Sequence, residues 1–572
     1  MKSSKTKRAH AAVAIAAPPK SRIWPYALVA VVTLIVVFEL YGPALHGPFL
    51  YDDSYIAYTL PEFANLPLKA WMAGVRPLLM FTFWVSFQQG GSGNTYPYHV
   101  FNVFVHFLNG VLIYLAVRKI LSWAKVELPT SQILSVFAAV LFLFHPVQTE
   151  AVSYVASRSD TLSVFFVLAA FVIFLYRKRG EISFGTAIAV LALFGAAVLT
   201  KEHSVALLGL LLLTDFFWNP GFSFEGMRRN WRLYALSVIA GFLGLAFVWT
   251  LLTRATSAGF GLNDFTWYQY FFTQCRAIWV YLRMYLLPFG QNIDYDFPIS
   301  RSIVDHGAVA GLIALLALIG LAWYYRRKFP LISYGVLAFL ILMAPTSSFV
   351  PIKDPLVERR LYLGFIGLLF ATVGLLSLWR ASRGTLIATL SIVLVAEAAF
   401  TYQRNELWGD AVFIWKDSVA NSPNKVRPRF QLAFAYYQNG HCAESVDEFG
   451  KAAQLAKPQY DLLVDWALAY DCAGDAKTAI AKLKDAAALE STAHVYSQIG
   501  MEYAKQQDYP QALEALSVAE KMNPNFAQTY VYRGNIYNLR GELPKAVDQY
   551  RRALALDPNN QVAREELQRI AR

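Results

Sequence analysis

Six segments of this 572-residue chain set carboxylates, imidazoles and cations at the ends of long apolar runs. The first holds Tyr51-Asp52-Asp53-Ser54-Tyr55 and then Arg76-Pro77. The second reads His145-Pro146-Val147-Gln148-Thr149-Glu150, and the third Arg158-Ser159-Asp160. Lys201-Glu202-His203 and Asp294-Tyr295-Asp296 follow. The last runs from Pro345-Thr346-Ser347-Ser348 through Lys353-Asp354 to Glu358-Arg359-Arg360. A carboxylate can take a proton from a hydroxyl, and an arginine suits a phosphate because its planar fork gives two parallel hydrogen bonds. An ionisable group at membrane depth costs roughly 2.5–3.5 kcal/mol on insertion scales, so its presence asks for a use. Several of these residues also have bland readings. Arg158 with Asp160 can be a structural ion pair, Lys201 can snorkel to headgroups, and Asp294 and Asp296 can solvate a loop. The Asp52–Asp53 pair is harder to dismiss, because it stands between tyrosines just after the first apolar run.

The elements that must position these residues are membrane helices. The chain is 56% hydrophobic and only 16% charged, with a mean hydropathy of +0.37. The apolar excess fills residues 23 to about 400 and the remainder reads as soluble protein, which implies two regions in two solvents. About eleven runs are long enough to be read as spans, centred near residues 33, 108, 139, 168, 191, 210, 243, 315, 338, 370 and 392. Basic clusters then orient them. Arg118, Lys119 and Lys125; Arg177, Lys178 and Arg179; Arg228, Arg229 and Arg232; Arg326, Arg327 and Lys328; and Arg380 with Arg383 each follow an even-numbered run. With the N-terminus in the cytoplasm, all of them fall on the cytoplasmic side. The six polar segments and the C-terminal region then fall on the opposite side. Residues 266–287 are apolar and aromatic but carry Arg276 and Arg283, and are read as a helix lying at the outer interface. The net charge of +12 sits largely in the tail and in these loops, which argues against nucleic acid as its target.

The C-terminal region repeats. Tyr530, Gly534, Tyr537, Gly541, Ala546, Tyr550, Ala553 and Pro558 have the small–aromatic–small spacing of a tetratricopeptide unit, with a period of about 34. Gly500, Tyr503, Ala512, Ala519 and Pro524 mark the unit before it. Ala467, Tyr470, Gly474, Ala479 and Ala486 mark another, and Ala433, Tyr436, Gly440, Phe449 and Ala452 the first. Residues 561–572 suit a capping helix, and such arrays offer a concave surface to peptides or proteins. A passive scaffold is the plainer reading. Of three cysteines, Cys442 opens the second helix of the first repeat and Cys472 closes the first helix of the next. Those ends lie on one edge, where the thiols either pair in an oxidising compartment or serve as small core residues.

Taken in order, these motifs resemble the transmembrane-and-tetratricopeptide-repeat O-mannosyltransferases and their bacterial relatives, within the C-type superfamily of membrane glycosyltransferases. The carriers are Asp52-Asp53, Arg76-Pro77-Leu78, Tyr98-His99 with Asn102 and His106, His145-Pro146 through Glu150, Arg158-Ser159-Asp160, Lys201-Glu202-His203, Pro345-Thr346-Ser347-Ser348, Glu358-Arg359-Arg360 and the repeats. The resemblance implies an all-α fold. A basic cytoplasmic tail occupies 1–22, a transmembrane glycosyltransferase-like domain 23–402, a connecting helical segment 403–425, and four repeats with a cap 426–572. It implies transfer of a sugar from a polyprenyl-phosphate donor to an acceptor hydroxyl, with the base at Asp52 or Asp53. Arg359, Arg360 and Lys201 would neutralise the departing phosphate, while Glu150 and His145 would orient the sugar or the base. Arg76, Arg158, Asp160, Glu202 and His203 join the donor-binding candidates. A divalent metal on the acids is left open, since no ligand spacing demands one. The expected partners are the lipid-linked donor, membrane lipids and a protein docked on the repeats. The outer parts carry no Asn-x-Ser/Thr sequon, which leans toward a bacterial inner membrane with periplasmic repeats over an endoplasmic reticulum with lumenal ones. The rival readings are a transporter, which predicts charges at mid-depth and inverted repeats, and an anchored scaffold, which one span would satisfy.

Overall fold

The computed structural model describes residues 24–60, 63, 65–177, 181–254, 258–262 and 264–572. The tail over 1–22, Ile23 at the start of the first run, and Lys178 and Arg179 lie outside the described residues. Among the described residues the chain is all-α, with no strand.

A helix stands at each apolar centre read from the sequence: Trp24–Leu40, Tyr96–Trp123, Leu128–Phe144, Arg158–Leu175, Phe184–Val198, Ala206–Trp218, Trp231–Arg254, Ala308–Tyr324, Pro330–Met343, Leu361–Leu376 and Arg383–Trp408. Length and apolarity together qualify fewer of them as crossings. Among the described residues five helical stretches pass, or six if the bent pair Leu128–Phe144 with Pro146–Ser153 is one span. At 1.5 Å per residue, the 13 residues of Ala206–Trp218 and the 14 of Pro330–Met343 reach about 20 Å, short of a hydrocarbon core of about 30 Å. The polar motifs do the shortening. Pro146 has no N–H to continue the ladder, so the chain bends by 50° into the short helix Thr149–Ser153 that carries Glu150. Likewise Glu202–Val205 forms a single 3₁₀ turn between Phe184–Val198 and Ala206–Trp218.

The segment read as interfacial forms the helix Trp267–Leu286, started by a reciprocal cap between Thr266 and Gln269. It buries Tyr270, Cys275, Ile278, Tyr281 and Met284 and leaves Trp267 and Leu286 exposed. Arg276 and Arg283 are drawn to backbone carbonyls, those of Pro298 and Phe289 respectively.

Small residues set the tightest helix packing, as they must where lipid gives helices no hydrophobic reason to associate. A Cβ on Gly335 would stand 2.1 Å from the Ala371 nitrogen, and one on Gly367 2.2 Å from that of Phe339. This fixes Leu361–Leu376, whose N-terminal turn is Glu358–Arg360. Polar side chains of Tyr96–Trp123 tie the same bundle together. His106 Nδ1 lies 2.9 Å from the Tyr362 hydroxyl, and Asn109 donates to that hydroxyl and to the Thr161 carbonyl, each at 2.9 Å.

Arg383–Trp408 is one unbroken helix through the boundary at 402/403, and Ala411–Asn421 follows it. Four helical hairpins come next: Val426–Gln438 with Cys442–Leu455, Tyr460–Cys472 with Ala476–Leu489, Ala493–Lys505 with Tyr509–Met522, and Ala527–Leu539 with Leu543–Leu556. Gln561–Ala571 caps them. A Cβ on Gly534 would lie 2.6 Å from the Tyr550 ring, so the glycine is the room that the aromatic fills. The array is packed against the membrane part: Leu432 and Ala435 share a core with Leu50, Tyr154, Ile293, Trp408 and Trp415.

Cys442 and Cys472 are disulfide-bonded, with Cα atoms 5.5 Å apart, and Cys275 is free and buried. Denatured without reductant, the chain should therefore expose one reactive thiol, and with reductant three. Cys442→Ser should lower the unfolding free energy of the repeats by about 3.6 kcal/mol, the loop-closure value for a sequence separation of 30, read from a denaturant midpoint. Three thiols without reductant would contradict the pairing.

Candidate active site

The loop after the first helix makes a short turn, Tyr51–Tyr55, in which the two aspartates do different things. Asp53 is buried. Its carboxylate accepts from the Leu50 amide (2.9 Å), the Tyr58 hydroxyl (2.6 Å) and the Ala156 amide (2.9 Å). It thus pins this loop to the start of Arg158–Leu175. Asp52 is exposed. Its backbone N–H donates to the Tyr154 hydroxyl at 2.8 Å, and among the described residues no side chain pairs with its carboxylate.

The other charged candidates pair across segments that are far apart in the chain. Arg76 donates to Glu202 with both arms, at 3.0 and 2.8 Å. Lys201 Nζ lies 2.6 Å from Asp160, whose other oxygen is 3.8 Å from His203 Nδ1. Arg359 forms an ion pair with Glu150 and also donates its backbone N–H to it at 2.9 Å. These pairs adjoin one another. Burial lowers the Lys201 ammonium below its ordinary value, Asp160 works against this, and the nearby cations Arg76 and Arg359 push it further down. The Arg359 guanidinium stands 5.7 Å from the Tyr154 ring, the same tyrosine that holds Asp52. Arg76, Glu150, Asp160, Lys201, Glu202 and Arg359 therefore form one charged neighbourhood, with Asp52 at its open edge.

Three candidates are turned away from it. Arg158 is wholly buried and does not pair with Asp160; it donates to Asn102 (2.8 Å) and to the carbonyls of Thr82 (2.8 Å) and Tyr98 (2.9 Å). Arg360 is buried and donates to the Pro355 and Asp354 carbonyls at 2.9 and 2.5 Å. His145 lies 3.0 Å from the Tyr285 carbonyl and faces Glu397. Glu358, beside Arg359, is spent on Asn292, Gln291 and Tyr295. Among the described residues no three His, Cys, Asp or Glu side chains gather as metal ligands.

A second charged group borders the first and joins Asp294 and Asp354 to two cations that sequence reasoning did not single out. Lys425 and Arg427, at the start of the first repeat, bind Asp294 at 2.6 and 2.5 Å, and Arg427 reaches Asp354 at 2.6 Å. Burial alone would raise the Asp354 carboxyl. Arg427, with Lys425 and Arg359 beyond it, holds it below the usual carboxylate range instead.

Burial pushes the Asp53 carboxyl up to about 7, against its three donors and with Asp52 adding to the rise. A carboxyl whose folded pKa exceeds its unfolded value of about 3.9 stabilises most below that value, and loses the contribution as pH rises through the folded pKa. Protease nicking of the loop 50–58 should thus quicken between about pH 4 and pH 7, and Asp53→Asn should flatten that profile. A flat wild-type profile would contradict the burial of Asp53.

A tetratricopeptide repeat family model matches residues 498–561. A protein O-mannosyl-transferase of Caenorhabditis elegans is 26% identical over 407 residues, covering 68% of this chain and 54% of that one. The human protein O-mannosyl-transferase TMTC1 is 24% identical over 496 residues, covering 73% and 54%. This chain spans about half the length of these relatives. Among solved structures, a thermophilic tetratricopeptide-repeat protein of Thermus thermophilus is 17% identical, covering 32% of this chain and 96% of its own, with a TM-score of 0.26. The resemblance that the motifs carry is borne out: the chain is similar to the protein O-mannosyl-transferases, and it ends in tetratricopeptide repeats as the resemblance requires.

Proposed function

We propose that this chain is a membrane glycosyltransferase that moves a sugar from a polyprenyl-phosphate donor to an acceptor hydroxyl, a protein serine or threonine, on the exoplasmic side. The names of its relatives support the reaction class and favour mannose as the sugar. The observation that carries the reading is Asp52, an exposed carboxylate that no side chain pairs with among the described residues, held by Tyr154 next to Arg359 at the edge of a charged neighbourhood that also contains Lys201 and Arg76. In the transfer step the acceptor oxygen attacks the anomeric carbon and Asp52 takes its proton. The bond from that carbon to the phosphate oxygen breaks, and its electron pair stays with the lipid phosphate. Arg359, Lys201 and Arg76 offset the charge that develops there. Each already has a carboxylate partner, so the site meets an anionic donor without a large excess of unbalanced charge.

The basic-loop pattern supports a cytoplasmic N-terminus and exoplasmic repeats, and the Cys442–Cys472 bond supports an oxidising compartment. In a bacterium this is the periplasmic side of the inner membrane, and in a eukaryote the lumen of the endoplasmic reticulum. The repeats dock the protein acceptor, and a cavity of about 440 Å³ on them, lined by Lys484, Tyr496, Tyr503 and Glu514 among others, suits a peptide segment.

Asp52→Asn keeps the size and removes the proton acceptor. Transfer by the purified chain in lipid should fall by about 10²–10⁴-fold, with donor binding retained. Wild-type rates in Asp52→Asn would overturn the assignment and move the search to Glu150, Asp160 and Glu202. A reporter active only outside the cytoplasm, fused after Arg572, should be active; a stable but silent fusion would reverse the orientation.

A further inference from the structure

Tyr51, the residue before Asp52, has a backbone φ of +59°. This is the left-handed region, which costs a non-glycine residue about 1 kcal/mol or more and persists only where the surroundings impose it. Three side chains surround the ring. It stacks on Trp415, with centroids 5.4 Å apart and planes 15° apart, and meets Tyr154 edge-on at 6.3 Å. The Arg427 guanidinium stands 4.8 Å from its centroid. Trp415 belongs to Ala411–Asn421 and Arg427 to the first helix of the repeats. Arg427 is itself held. Nε and Nη2 donate to Asp294 at 2.7 and 2.5 Å, and Nη2 also to Asp354 at 2.6 Å. Lys425 shares Asp294 at 2.6 Å. The repeat array thus touches the residue that aims Asp52, and does so through a guanidinium fixed at both carboxylates.

We propose that Arg427 is a positioning residue of the transfer site: by fastening Tyr51 in its left-handed conformation it holds the Asp52 carboxylate where it takes the acceptor's proton, which makes the first repeat part of the site. This rests on Asp52 as the base. It separates two duties that the repeats otherwise share, docking an acceptor and shaping the loop. An acceptor too small to engage the array still depends on the second.

The test is transfer from polyprenyl-phosphate mannose to a short serine- and threonine-containing peptide, with the full chain in lipid. Arg427→Lys keeps a cation beside Asp294 and Asp354 and loses the planar face that lies on Tyr51. It should lower kcat at least about tenfold, leave the donor KM within about twofold, and leave the melting temperature within a few degrees. Arg427→Ala should fall further. Neither should lower the residual rate of Asp52→Asn, because a residue that acts through Asp52 has nothing left to act on. An Arg427→Lys chain with the wild-type kcat overturns the proposal, as does a loss in the Asp52→Asn background equal to that in the wild type. If Arg427→Ala does not fold, Arg427→Lys decides alone. Absence of transfer by the wild-type chain refutes the proposed function itself, full transfer by Asp52→Asn refutes Asp52 as its base, and either result takes this inference with it.

Discussion

Arg158 carries a wholly buried guanidinium that pairs with no carboxylate among the described residues. Removing such a cation from water costs several kcal/mol unless its donors are satisfied. Here they are met by Asn102 and by the carbonyls of Thr82 and Tyr98, and the Phe83 and Phe101 rings each lie 4.4 Å from the guanidinium carbon. That arrangement requires Pro77–Gly90, Tyr96–Trp123 and Arg158–Leu175 to meet at one point. Two residues before it, the Ala156 amide binds Asp53, so the loop that presents Asp52 inherits its place from the same junction. This end of the helical domain is assembled around this buried charge.

The charged neighbourhood beside it obeys the same constraint differently. Its cations are partly open, and each is matched by one carboxylate from a distant segment: Arg76 by Glu202, Lys201 by Asp160, Arg359 by Glu150. The pairing holds the cations apart and aimed at low electrostatic cost. Asp53 is a strut for a different reason, its carboxylate being taken by two backbone amides and the Tyr58 hydroxyl, and of the two adjacent aspartates only Asp52 stays available.

The helices and repeats were legible in the sequence because both are periodic, and periodicity survives without knowledge of tertiary contacts. The pairings were not. Arg158 and Asp160 look like an ion pair when read along the chain, yet residues two apart on a helix do not face each other, and each finds its partner elsewhere. Adjacent Arg359 and Arg360 divide in the same way, one toward Glu150 and one into the Asp354–Pro355 turn. Lys425 and Arg427 read as ordinary polar residues at the start of a soluble helix. Only the fold shows that Asp294 and Asp354 wait opposite them. The ends of the apolar helices were less legible than their centres, because the motifs that break helices are short and hydropathy averages over them.

The unbroken helix Arg383–Trp408 has a mechanical consequence. Its 26 residues make a rod of about 39 Å at 1.5 Å per residue, leading from the apolar bundle to Ala411–Asn421, the helix that precedes the repeats. With the first repeat also bolted to the loops that carry Asp294 and Asp354, the array cannot swing like a tethered arm. It stands as a fixed ruler. On the proposed function, a polypeptide laid along it presents its hydroxyls at set distances from Asp52, so reach along the acceptor chain selects among them as strictly as local sequence.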